Sequence, residues 1–134
     1  MKLTHPSKLE VKSSPIHGYG VFATEDIKKG EIIEDCYILK IPLKRGFLPQ
    51  MFMDYKFKWV NSIGEIEEVL PLGFGCIYNH SNENNVTWRQ ITDKNVIQFY
   101  AIKHIKKGDE VCHYYGDKKY WDTKEKINNL TNLL

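Results

Sequence analysis

The sequence predicts a mainly β domain built from many short strands. Three observations predict it. Short apolar and β-branched runs recur along the chain, turn-forming clusters of Gly, Pro, Asn and Asp separate them, and only the last stretch carries helical spacing.

The elements follow in order. LEVKSS, from Leu9, reads as a first strand and PIHGYG as the loop after it. GVFAT is a second strand. IKKGE turns the chain into EIIEDCYILKI, an isoleucine-rich strand that Pro42 stops. QMFMDYKFKWV, residues 50–60, fits either a strand or an aromatic turn of helix. SIGEIEEVLPLG passes from polar to apolar. WRQIT and VIQFYAIKHI read as a hairpin around residues 92–95, and GDEVCHYYGD as a last strand ending at Gly116. In the tail, Ile127, Leu130 and Leu134 lie near helical spacing, which predicts a short closing helix over 122–134. The pentapeptide IKKGE (27–31) recurs as IKKGD (105–109). Two such matches do not make a repeat protein, and the plain reading is a turn in which glycine supplies positive φ.

A chain of 134 residues suits one domain, 1–134, with one hydrophobic core. Hydrophobic residues at 42% and aromatics at 13% indicate a folded globule, not a disordered tail. The net charge is +2, and Arg45 and Arg89 are the only arginines, so no direct electrostatic grip on nucleic acid is expected. Cys36, Cys76 and Cys112 are widely spaced, with no metal-binding spacing. They read as small buried side chains in a reducing compartment, and no metal is expected. The N-terminus lacks an apolar signal core and no long apolar run follows, so an intracellular protein with no membrane partner is expected.

Three places hold residues that a core does not require. In HGYG, Gly18 and Gly20 flank Tyr19. This is an ordinary turn or a loop that lets backbone approach a ligand. In GFGCIYNHSNENN, the run Phe74 to Tyr78 reads as buried backbone, and Asn79 and His80 follow at once. A buried amide and imidazole need partners, which are either nearby loop backbone, a ligand, or a second loop that they pin. In HYYGD, Tyr115 lies beside Gly116, placed to aim a hydroxyl into a pocket.

Taken together, GxG, then NHS, then YG within a small β-rich chain resembles the SET-domain family of protein lysine methyltransferases. The likeness runs from about Val11 to Trp121, the expected core, through HGYGVFAT, IKKGEIIE, LGFGCIYNHS, AIKHIKKGDEV and YYGDKKYW. The chain looks most like the compact viral members, which are little more than the SET core. The resemblance implies a β-clip of short curved sheets, with a knot-like crossing of the NHS and YG segments and a short C-terminal helix. It implies transfer of a methyl group from S-adenosylmethionine to a lysine ε-amine, leaving S-adenosylhomocysteine. Gly18, Tyr19, Gly20, Asn79, His80, Tyr115 and Trp121 would bind the donor. Tyr115 and Tyr55 would be catalytic, and Tyr55 and His113 would line the lysine channel.

The chemistry suits these residue types. A free lysine has a pKa of about 10.4, so neutralising it at pH 8 costs about 3.3 kcal/mol. An apolar channel and an adjacent sulfonium both lower that pKa, and no strong base is then needed. Alignment of amine, methyl and sulfur supplies most of the rate. Apart from Asp117, no acid stands near Tyr115 in the chain. Two departures from the family pattern stand out. Asn84 occupies the usual proline position before Asn85, and His113 replaces the usual Phe or Tyr.

The expected partner is a protein with a lysine-bearing tail, histone 3 being the first candidate, met in the nucleus (the host nucleus if the protein is viral). A homodimer could complete the substrate groove. Two alternatives stay open: a non-histone substrate, and a catalytically silent SET-like module that binds peptide. Glu65, Glu67 and Glu68 form one acidic cluster and Glu31, Glu34 and Asp35 another. Either could recruit a basic tail, but a solvated face is the plainer reading of both.

Overall fold

The computed structural model describes residues 2–41 and 55–116. Among the described residues nine strands follow in chain order: β1 (Leu9–Ser13), β2 (Tyr19–Ala23), β3 (Ile32–Ile41), β4 (Phe57–Val60), β5 (Ile66–Pro71), β6 (Asn79–His80), β7 (Val86–Ile91), β8 (Val96–Ala101) and β9 (Glu110–His113). They form two sheets, ordered β1-β2-β9-β6 and β4-β5-β3-β8-β7. The predicted mainly β class is what forms. The stretch 50–60 resolves in favour of a strand where it is described, since Phe57–Val60 pairs antiparallel with β5. The hairpin at 92–95 is a single 3-10 turn, Thr92–Lys94, and Asn95 takes φ 54° to let β8 return along β7.

The two IKKG segments meet. Ile27 and Ile105 each donate a backbone N–H to the other's carbonyl at 2.8 Å. Gly30 at φ 88° and Gly108 at φ 93° supply the positive φ that each turn needs. Gly30 N–H then donates to Ala101 and Gly108 N–H to Ala23, so each turn closes on the end of the other's preceding strand. The two turns thereby fasten one sheet to the other, and both isoleucines are fully buried between them.

The core fills the space behind these turns. Val21, Trp59, Tyr78, Phe99 and Val111 are among its fully buried members. Strand β3 is central, with β5 on one side and β8 on the other. Its register slips between Ile32 and Glu34, a bulge, and the next four side chains, Ile33 to Cys36, are all buried.

That burial corrects one expectation. Glu34 and Asp35 are not part of a solvated acidic face. Glu34 is 2% exposed and accepts the Tyr78 hydroxyl at 2.6 Å and the Phe74 N–H at 2.9 Å. Asp35 accepts the Gln98 amide and the Thr4 N–H. Nor is the other cluster free: Glu67 pairs with Lys40 and Glu68 with Lys56. The run from Phe74 to Tyr78 is likewise only partly interior. It is a series of turns in which Gly75 and Tyr78 are buried and Phe74, Cys76 and Ile77 are half-buried. Cys36 and Cys112 are buried, as expected of small apolar side chains, whereas Cys76 is only half so. The last strand stops at His113, short of Gly116, because the backbone beyond it turns to bond with His80. The predicted closing helix, Trp121 and Asp117 lie outside the described residues.

Candidate active site

The site grows from β6, two residues long, lying parallel to β9. Asn79 is opposite Cys112 and His80 opposite His113. Ser81 N–H extends the ladder to the His113 carbonyl at 3.1 Å. So short a strand needs other support, and Asn85 supplies it with a side chain that mimics a strand. Its Oδ1 accepts the Cys112 N–H at 2.9 Å and its Nδ2 donates to the Glu110 carbonyl at 2.9 Å. The NHS segment and the start of the YG segment therefore run side by side, each satisfying the other's backbone.

Asn79 is 6% exposed, and its amide nitrogen faces three acceptors. These are the carbonyls of His17 (3.1 Å) and Tyr19 (3.2 Å) and the Glu110 carboxylate (2.8 Å). Of the partners open to it in the sequence, it pins a second loop, HGYG, to the core. Gly18 sits in open space at φ 47°, a conformation that suits glycine. Gly20 is needed for a different reason: a Cβ there would lie 2.4 Å from Glu110 Oε2 and 2.9 Å from Asn79 Nδ2. The tip of the loop faces outward, with Tyr19 68% exposed.

His80 and Tyr115 join the other end. Tyr115 N–H donates to His80 Nδ1 at 2.9 Å, and the Tyr115 hydroxyl donates to the Tyr78 carbonyl. The Tyr115 ring packs against His80 (5.3 Å between centroids) and His113 (4.6 Å). Burial first, and then the neighbouring Tyr55, push the Tyr115 hydroxyl well above the usual phenol range, so it stays a donor. Glu110, five residues earlier in the chain, adds the smallest share of that shift. Tyr55 is 40% exposed at the rim, its carbonyl 3.8 Å from the Cys76 thiol.

His113 lies behind Tyr115 in an aromatic box. It stacks on Phe57 (5.4 Å) and meets Phe99 and Tyr78 edge-on. Burial above all, then His80, pulls its pKa down to about 3, so the imidazole is neutral. Its Nδ1 is a buried polar atom without a hydrogen-bond partner among the described residues.

The structure thus brings together Gly18, Tyr19, Gly20, Asn79, His80, His113 and Tyr115, with Tyr55 at the rim. Sequence reasoning missed four supporting residues: Ser14, Glu34, Asn85 and Glu110. Asn85 was visible only as a neighbour of the NHS segment. The others carry no local signal, since the partners that tie them into the site lie 31 to 96 residues away.

A β-clip-like pair of sheets with this junction defines a SET domain. The SET-domain family pattern matches residues 18–116, and the chain belongs to that family of protein lysine methyltransferases. Among curated proteins, the chain is 30% identical over 119 residues to a histone-lysine N-methyltransferase of Schizosaccharomyces pombe, specific for H3 lysine-37. The match covers 87% of this chain and 78% of that one. Among solved structures it is similar to a candidate histone methyltransferase of Plasmodium falciparum. That match has a TM-score of 0.69 and 36% identity, over 84% of this chain and 96% of the other. The methyltransferase domain of human PR domain-containing protein 2 shares the fold at a TM-score of 0.63 and 18% identity, over 84% and 80% of the two chains.

Proposed function

We propose that this SET domain methylates a lysine on a histone tail, histone 3 first, with S-adenosylmethionine as donor. One observation carries the reading. Through Asn79, the glycine loop, the NHS segment and β9 meet at one point, and Tyr115 stands at the edge of that point beside His80. The fission yeast relative named for H3 lysine-37 and the Plasmodium neighbour support the substrate class.

The residues present fit the donor. The glycine loop is open outward and backed by a buried amide, and its second glycine has no room for a Cβ. When bound, S-adenosylmethionine supplies a methyl carried on a sulfonium. Gly18 to Gly20, Asn79 and His80 would hold it, and Trp121 is proposed as a further contact.

Tyr115 would orient the incoming amine and Tyr55 would narrow the channel at its rim, while His113 and its aromatic neighbours exclude water behind it. A desolvated amine loses its proton more easily, so placement, not a protein base, drives the step. The same proposal places the protein in a nucleus, and a homodimer that completes the substrate groove would appear as twice the chain mass in sedimentation.

The test is transfer of labelled methyl from S-adenosylmethionine to a mixture of core histones, wild type beside Tyr115→Phe. Label on one histone, sharply cut in the variant, is the expected result. Donor binding without histone labelling would move the search to non-histone proteins. No donor binding at all would leave a silent peptide-binding module and end the proposal.

A further inference from the structure

Glu110 opens β9 beneath the glycine loop, and no requirement of the strand accounts for its side chain. Its carboxylate accepts the Ser14 hydroxyl through both oxygens, at 2.7 and 2.9 Å, and the Asn79 amide at 2.8 Å. Ser14 in turn accepts the Ile16 N–H at 3.0 Å, and Ser14 N–H donates to the Gly18 carbonyl at 2.8 Å. Both ends of the loop 14–20 therefore hang on one carboxylate. Gly20 passes so close to Glu110 Oε2 that a methyl group would not fit between them.

We propose that Glu110 is a positioning residue of the donor site, acting through Asn79 and Ser14. The inference deepens the proposed function and rests on the donor being bound by this loop.

The reason lies in the Asn79 amide. Its nitrogen carries two hydrogens and has three acceptors around it, so the bonds are shared. The carboxylate is the shortest and the only charged one, and charge-assisted bonds are the stronger kind. It holds the nitrogen toward the loop and β9. The amide oxygen then accepts no hydrogen bond among the described residues. A free acceptor suits a ligand bearing N–H groups, such as the ammonium or the adenine amine of the donor. Without Glu110, the amide keeps only its two longer bonds to the loop carbonyls, its tie to β9 is gone, and the loop loses its anchor at Ser14.

The experiment measures S-adenosylmethionine affinity by calorimetry, and both KM values and kcat on a methyl acceptor, for wild type, Glu110→Gln and Glu110→Ala. Glutamine keeps the size and one acceptor, whereas alanine removes both. The expected order is a rise in donor Kd and donor KM of about threefold to tenfold for glutamine and several times more for alanine. At saturating donor, kcat and the KM for the acceptor stay within about twofold of wild type, a split that general loss of structure would not give. If neither variant folds, Ser14→Ala cuts the same tie from the loop side and carries the same expectation. Unchanged donor affinity in folded variants of a wild type that binds donor overturns this inference alone. A wild type that binds no donor overturns the proposed function, and this inference with it.

Discussion

Tyr115 donates its backbone N–H to His80 Nδ1 at 2.9 Å. A backbone N–H can only donate, so His80 Nδ1 is unprotonated there and the ring is the neutral Nε2–H tautomer. Nε2 then donates to Asn82 Oδ1 at 3.2 Å. The YG and NHS segments are thus fastened by the imidazole as well as by the ladder. The Tyr115 hydroxyl, held on the Tyr78 carbonyl, completes the junction.

Tyr115→Phe keeps the ring packing and the backbone bond and loses only the hydroxyl. Unfolding free energy should fall by about 0.5–1.5 kcal/mol, the usual worth of one hydrogen bond. Methyl transfer should fall by about a hundredfold, since orientation dominates the barrier. Denaturant unfolding beside a labelled-methyl assay checks both. Equal activity would remove Tyr115 from the site.

The two glycines of HGYG should answer differently to alanine. At Gly18 nothing lies within 4 Å of a new Cβ, so the cost is the left-handed backbone alone, about 1 kcal/mol. At Gly20 the Cβ would strike Glu110 and Asn79. Donor affinity should fall by about tenfold or more for Gly20→Ala, as misplacement near a site does, and much less for Gly18→Ala. Calorimetric titration with S-adenosylmethionine separates the two.

His113 makes stability depend on pH. Its folded pKa of about 3 lies below its ordinary value of 6.5. Above 6.5 neither state is protonated and its neutral burial costs nothing in pH terms. As pH falls from 6.5 toward 3 the unfolded chain takes up the proton first, so stability is lost across that window. By linkage the loss at pH 5 is about 2 kcal/mol relative to pH 7.5. His113→Phe, which suits the same aromatic box, should flatten the profile by that amount. Urea melts of both proteins at the two pH values decide it, and parallel profiles would refute the assignment.

Asn85→Ala removes one donor and one acceptor from the edge of β9. The Cys112 N–H and Glu110 carbonyl would be left short of partners, at a cost of about 2–4 kcal/mol. Asn85→Asp keeps an acceptor for the Cys112 N–H but sets a carboxylate oxygen against the Glu110 carbonyl, so it should cost no less. Thermal unfolding of the pair tests the order.

Glu34→Ala strips partners from the Tyr78 hydroxyl and the Phe74 N–H, both inside the protein. A loss of about 2–4 kcal/mol is expected. In Glu34→Gln the amide oxygen can take Phe74 N–H and the amide nitrogen can donate to Tyr78, so most of that loss should be spared. Equal loss in the two variants would show that the carboxylate's charge, and not its hydrogen bonds, is what the core requires.

The sequence by itself determined the class of the fold and most of its strands. Alternating and β-branched runs between turn residues are local facts, and LEVKSS, GVFAT and EIIEDCYILKI carry them openly. It also marked the three motifs, because Gly18, Gly20, Asn79, His80 and Tyr115 are residue types that a core does not need. Only the tertiary structure decided what those motifs do to one another. Asn79 reaches across 60 residues to the glycine loop, and Glu110 across 96 to Ser14. No periodicity records such pairings. Burial of Glu34 and Asp35 escaped the sequence for the same reason. A carboxylate reads as surface until the chain folds partners around it, and at the bulge in β3 those partners are Tyr78, Phe74, Gln98 and Thr4. The identities of the candidate site residues are local, but their hydrogen bonds are set by which strands the packing brings side by side.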